Sequence, residues 1–192
     1  MHNQIKGDFG GASAVVVSVE VKDGDIFTNE TLTLLDNLTQ GVDSLPGVNH
    51  NLVSSLTHRT TRKITLDETG NIKSALYFDP ASPNLSQAEL NQMRRDVMAN
   101  PRVYGLMVSP DMKSAIIKGQ MNEGGDINYR KTFAELTELR AKYANDKVKI
   151  HATGLPVLTG WVYTYLNQIL QILLYTAALI FRSEEHTSEL QS

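Results

Sequence analysis

Four of the five histidines, His2, His50, His58 and His151, lie before the last eleven residues and could bind a metal or move a proton near neutral pH. No two stand four apart with a glutamate between, the spacing that puts two imidazoles and a general base on one helical face. Each therefore reads as a surface or strand-edge histidine. Asp23, Asp25 and Glu30 could gather a cation, but their spacing is not that of a calcium loop. They read instead as negative charge set against the positive end of a following helix. The chain has no cysteine, so it has no disulfide, thiolate nucleophile or thiolate metal site. Neither a nucleophile elbow nor a phosphate-binding glycine motif occurs, and Gly10-Gly11 and Gly124-Gly125 read as flexible turns. No catalytic, cofactor-binding or metal-ligating residue is assigned, no cofactor is expected, and the chain is not expected to be an enzyme.

The remaining chemistry is partition into an apolar phase. Gly154–Phe181 reads GLPVLTGWVYTYLNQILQILLYTAALIF, and no charged residue occurs over the 22 positions 160–181. A helix needs roughly 20 predominantly apolar residues to span a bilayer. Trp161, Tyr163 and Tyr165 cluster at the start of this run, where amphipathic rings sit at headgroup depth, and are the expected membrane-interface residues. Asn167, Gln168 and Gln171 would face neighbouring helices rather than lipid. The expectation is a transmembrane helix over 160–181; the alternative is a buried helix of a soluble protein. Gly154, Pro156 and Gly160 are the expected hinge between that helix and the domain before it.

The last eleven residues, RSEEHTSELQS, match codon for codon the in-frame translation of a common sequencing adapter. Residues 182–192 are therefore set aside as an artefact, and the membrane helix is expected to be truncated. The adapter-like tail carries one Arg and three Glu, so the 18 basic and 21 acidic residues of the chain fall to 17 and 18. A near-neutral balance gives no basic face for nucleic acid. Met1–Ala12 is polar and glycine-rich, without a secretory leader. Two explanations stay open: a cytoplasmic domain, or an internal start with an upstream membrane helix missing.

The elements that must position these groups follow from periodicity. Val15, Val17, Val19 and Val21 alternate as in a half-buried strand over Ser13–Lys22. Thr28 or Asn29 should cap a helix carrying Leu32, Leu35, Leu38, Val42 and Leu45 on one face, ended by Pro46-Gly47. An extended segment over Val48–Leu56 comes next. Thr61–Asp67 and Ile72–Phe78 should then form a hairpin about Glu68-Thr69-Gly70-Asn71. Ser86 and Glu89 have capping-box spacing for a second helix with Leu90, Met93, Val97 and Met98 on its apolar stripe, stopped by Asn100-Pro101. Tyr104–Ser109 and Ser114–Met121 read as strands about Pro110-Asp111. A helix over Asn128–Asn145, with Phe133, Leu136, Leu139 or Arg140, and Tyr143 inward, and a strand over Lys147–Ala152 complete the domain. This order is an α+β, ferredoxin-like βαββαβ plan with an inserted hairpin and short helix over 1–159.

At the level of whole stretches, KDGDIFTNETL (Lys22–Leu32), SLPGV (Ser44–Val48), SSLTHRT (Ser54–Thr60), ANPRVYGLMVSPDMKSAII (Ala99–Ile117) and GLPVLTG (Gly154–Gly160) occur in an order that resembles one family. They are similar to the porter segment between the first two membrane helices of resistance-nodulation-division (RND) exporters, in the MMPL-like, hopanoid-associated branch. The chain departs from that family in lacking the first membrane helix and everything after the start of the second. The resemblance implies a fragment of a proton-driven exporter in a bacterial inner membrane, with this domain facing the periplasm. Its partners would be the lipid bilayer, the missing remainder of the transporter with a second porter repeat, and a hydrophobic or amphiphilic substrate, with a homo-oligomer open. The proton-carrying acids of such exporters would lie in later helices, outside this sequence.

Two other classes stand beside this one. The first is the extracytoplasmic domain of a membrane-anchored sensor or scaffold, with the same layout of helix, domain and helix. The second is a soluble ferredoxin-like enzyme or RNA binder, opposed by the missing aromatic strand motif and the missing activated nucleophile.

Overall fold

The computed structural model describes residues 13–66, 69–122 and 127–189. Its elements are β1 (Ala14–Val21), α1 (Asn29–Asp43), β2 (Val48–Ser54), β3 (Arg62–Leu66), β4 (Ile72–Leu76), α2 (Gln87–Ala99), β5 (Ser114–Met121), α3 (Tyr129–Tyr143), β6 (Val148–Thr153) and α4 (Leu155–Glu189). The fold is α+β. Residues 1–12, 67–68, 123–126 and 190–192 lie outside the described set, and with them His2, Gly10-Gly11, Gly124-Gly125, Asp67 and Glu68.

Four strands form one antiparallel sheet in the order β2-β5-β1-β6. The alternation in β1 sets its inward face: Val15, Val17, Val19 and Val21 are all buried, and the strand lies between β5 and β6. Cross-strand partners continue that face, with Val17 opposite Ile117 on β5 and Ala152 on β6, and Val19 opposite Ala115 and Ile150. Over this face lies α1, whose Leu32, Leu35, Leu38 and Val42 are fully buried at helical spacing. Thr28 is its N-cap, accepting from the Thr31 backbone N–H at 3.1 Å, and Ser44 its C-cap. Beside it packs α3, capped by Asn128, with Thr132 and Leu136 buried and Phe133 only half-buried.

The insertion between β2 and β5 joins the same core. β3 and β4 pair antiparallel as their own two-stranded sheet, from Arg62 opposite Leu76 to Leu66 opposite Ile72. α2 begins with the full capping box: Ser86 N–H donates to Glu89 Oε2 at 2.7 Å, and Glu89 N–H donates to Ser86 Oγ at 3.4 Å. Its buried stripe is Leu90, Met93 and Val97. Lys63 Nζ to Asp96 at 2.7 Å ties α2 to the hairpin, and Arg94 to Asp25 at 2.5 Å ties it to the loop before α1.

Three expectations are corrected. Tyr104–Ser109 is not a strand: the Val103 carbonyl accepts from the N–H groups of Leu106, Met107 and Val108, and Gly105 sits at φ +78°, so the segment closes on itself and keeps only isolated bridges. Met98 lies outside the apolar stripe and is exposed, since the stripe repeats at three and four residues and Met98 is one past Val97. The last helix starts five residues before the expected bound and continues past Phe181 to Glu189. Among the described residues no helix is long and apolar enough to cross a membrane, which departs from the expected transmembrane helix over 160–181. Asn167, Gln168 and Gln171 dilute its apolar run.

Candidate functional site

The junction of β6 with α4 brings the expected hinge residues against the rest of the domain. Gly154 lies between the two elements at φ +118°, and a Cβ there would strike the Ala14 carbonyl oxygen at the start of β1. Its own carbonyl accepts from Leu158 N–H at 3.0 Å, opening the helix. Pro156 stands in the first turn, where its missing N–H costs nothing, and is buried. Gly160 is buried inside α4, where a Cβ would strike both Phe133 Cβ and the Tyr129 carbonyl oxygen of α3. Of the three, only Gly154 has non-helical backbone, and both glycines are wedged against neighbouring backbone.

Beyond Gly160 the helix leaves the domain. Trp161 and Tyr165, one turn apart, bring their rings to 5.2 Å at a 44° tilt, while Tyr163 projects from another side; all three are exposed. Successive helical positions point about 100° apart, yet Ile172, Leu173 and Leu174 are 65%, 64% and 69% exposed. Leu170, Leu179 and Ile180 are exposed as well. The Thr164 and Thr176 hydroxyls each donate to the carbonyl four residues back, Gly160 and Ile172, at 2.8 Å, which withdraws their polarity from the surroundings. An exposed helix with so broad an apolar surface and a narrow polar face of Gln168, Gln171 and Tyr175 is at home inside a larger bundle.

A second, polar site lies between α1 and the segment joining β2 to β3. A pocket of about 160 Å³ is lined by Asp36, Thr39, Asp43, Thr57, His58 and Arg59, among others. Thr39 Oγ1 donates to the Leu35 carbonyl at 2.7 Å and lies 2.8 Å from Ser55 Oγ and 3.2 Å from Thr57 Oγ1. Ser55 and Thr57 close the triangle at 3.3 Å. His58 is buried, which corrects its reading as a surface or strand-edge histidine; its N–H donates to Ser55 Oγ at 3.1 Å, and its Nδ1 lies 2.8 Å from Thr60 Oγ1. Burial pushes the His58 pKa down, with Asp43 acting in the opposite direction. Burial likewise pushes the Asp36 carboxyl up, against the Gln40 amide that donates to it at 2.6 Å. The polar stretch SSLTHRT gave the types of these hydroxyls, but nothing in it showed that they meet α1.

The other candidate ligands are dispersed. Asp25 is engaged by Arg94, Glu30 by Lys147 at 2.7 Å, His50 by Asp43 at 3.1 Å, and His151 lies 3.8 Å from Glu20. Among the described residues no group of three or more ligating side chains could hold a metal ion. No family model and no curated protein matches this chain.

Proposed function

We propose that this chain is the porter-type domain of an RND-like exporter together with the opening of a membrane helix. The carrying observation is α4, seated on α3 and β1 by two wedged glycines and then exposed on every side, with a broad apolar surface and one polar face of Gln168, Gln171 and Tyr175. By itself that helix is too polar for a lone span, so it would enter the bilayer as a member of a bundle, with Gln168 and Gln171 hydrogen-bonded to neighbouring helices. The strand order β2-β5-β1-β6 supports a ferredoxin-like plan, in which two crossovers, β1-α1-β2 and β5-α3-β6, interleave. The insertion carrying β3, β4 and α2 adds to one end of it.

In this reading the domain faces the periplasm of a bacterial inner membrane and moves hydrophobic or amphiphilic compounds by rearrangement against a second repeat. Gly154 and Gly160 act as a rigid coupling. A tilt of α4 is carried into the sheet through Ala14 and into α3 through Tyr129 and Phe133.

The test is a single cysteine in place of Asn71, beside the β3–β4 turn, in the product of the complete coding region. About a dozen membrane spans with an internal repeat, and labelling by a membrane-impermeant thiol reagent in spheroplasts, support the exporter. One further helix leading into a signalling module replaces it with a membrane-anchored sensor. Labelling only after lysis overturns the periplasmic placement.

A further inference from the structure

The pocket between α1 and the β2–β3 segment is independent of α4. Asp36 lines it and is only 6% exposed, yet among the described residues no ion pair answers its charge. A carboxylate so placed costs stability unless a cation or a proton reaches it. One oxygen, Oδ2, accepts from Gln40; Oδ1 has no hydrogen bond among the described residues and is not enclosed, which leaves it open to a ligand.

Of the hydroxyls beside Asp36, that of Thr57 lines the pocket with lone pairs to offer. Thr39 spends its hydroxyl hydrogen on the Leu35 carbonyl, so it accepts from both Ser55 and Thr57. The hydrogens of those two are absorbed inside the triangle, where every edge is 3.3 Å or shorter. A second carboxylate, Asp43, lines the same space. Donors at the pocket are the Gln40 amide, already given to Asp36, the His58 ring, whose Nδ1 is held by Thr60, and the exposed Arg59 at the rim. Two carboxylates, one of them largely buried, in a pocket that Leu76 and Pro80 also line select a ligand that is small, positive and carries N–H groups.

We propose that this pocket binds a small organic cation, an ammonium or guanidinium group, on Asp36. Arg59, which carries such a group on the same chain, is the internal competitor. A pocket of about 160 Å³ admits a small head group, and a quaternary amine differs from it in having no N–H to donate to the carboxylate.

The experiment titrates the full chain in detergent with methylammonium chloride, with sodium chloride and tetramethylammonium chloride as controls. Amide and carboxyl NMR shifts of residues 36–43 and 57–59 are the readout. Saturable shifts at millimolar methylammonium, absent with both controls, are expected. Asp36→Asn should abolish them while the fold survives, because the change removes an uncompensated buried charge. Arg59→Gln should tighten binding several-fold. Saturation seen only in Arg59→Gln also supports the site, since Arg59 then fills it in the parent chain. Equal shifts with sodium chloride, unchanged binding in Asp36→Asn, or no saturation in either the parent or Arg59→Gln overturns the proposal.

Discussion

Asn29 and Leu85, 56 residues apart, exchange two hydrogen bonds: Asn29 Nδ2 donates to the Leu85 carbonyl at 2.9 Å, and Asn29 Oδ1 accepts from the Leu85 N–H at 3.0 Å. A side-chain amide here stands in for a neighbouring strand, satisfying both polar groups of one backbone residue. The clamp fixes where α2 starts relative to α1, one residue before the Ser86 cap.

Asn29→Ala should therefore lower stability by about 1–3 kcal/mol, since two backbone groups lose their partners at a half-buried position. Urea unfolding followed by circular dichroism measures it. A change within a few tenths of a kcal/mol would show that water replaces the amide without loss.

The junction glycines respond differently from an open one. Gly160→Ala and Gly154→Ala should each cost about 1–3 kcal/mol or more, because the new Cβ meets backbone that cannot rotate away. Gly24, at φ +74° with nothing within 4 Å of its Cβ position, should cost only about 1 kcal/mol on the same change. Thermal unfolding of the three variants gives the order, and a loss at Gly24→Ala equal to that at Gly160→Ala would show that packing is not the difference.

Two buried groups contribute to the pH dependence, with opposite signs. His58 has its folded pKa held below the ordinary value of about 6.5, so the unfolded chain binds its proton first. Its contribution is present above that value and lost as pH falls through the lower, folded pKa. Asp36 has its folded pKa raised, so its contribution is present below the ordinary value of about 3.9 and lost as pH rises through the folded one. His58→Gln should flatten the fall in stability below about pH 6.5, and Asp36→Asn should stabilise at pH 7 with little effect below about pH 4. Denaturant midpoints between pH 4 and 8 test both, and parallel profiles for parent and variants would remove these groups as the cause.

The exposed helix governs behaviour in solution. Without detergent the chain should self-associate, and replacing Ile172, Leu173, Leu179 and Ile180 with serine should return it to a single species. Light scattering after gel filtration reads this directly. A parent chain that stays monomeric at high concentration without detergent would remove the apolar helix as a docking element.

The sequence by itself determined every element whose signal is local. Strand β1 followed from four alternating valines, α1 from its leucine spacing and Thr28, and α2 from Ser86 and Glu89, because alternation, helical period and capping are properties of a few adjacent residues. Segment 104–109 had strand-like residues, but its carbonyl bonds within the same turn outweighed propensity. Only the tertiary structure decided the neighbours. It set β1 between β5 and β6, joined the hydroxyls of Ser55 and Thr57 to Thr39 on another element, buried His58, and brought Gly160 of α4 against α3. Such contacts join residues far apart in the chain, and the period and composition of either segment carry no record of which surface it meets.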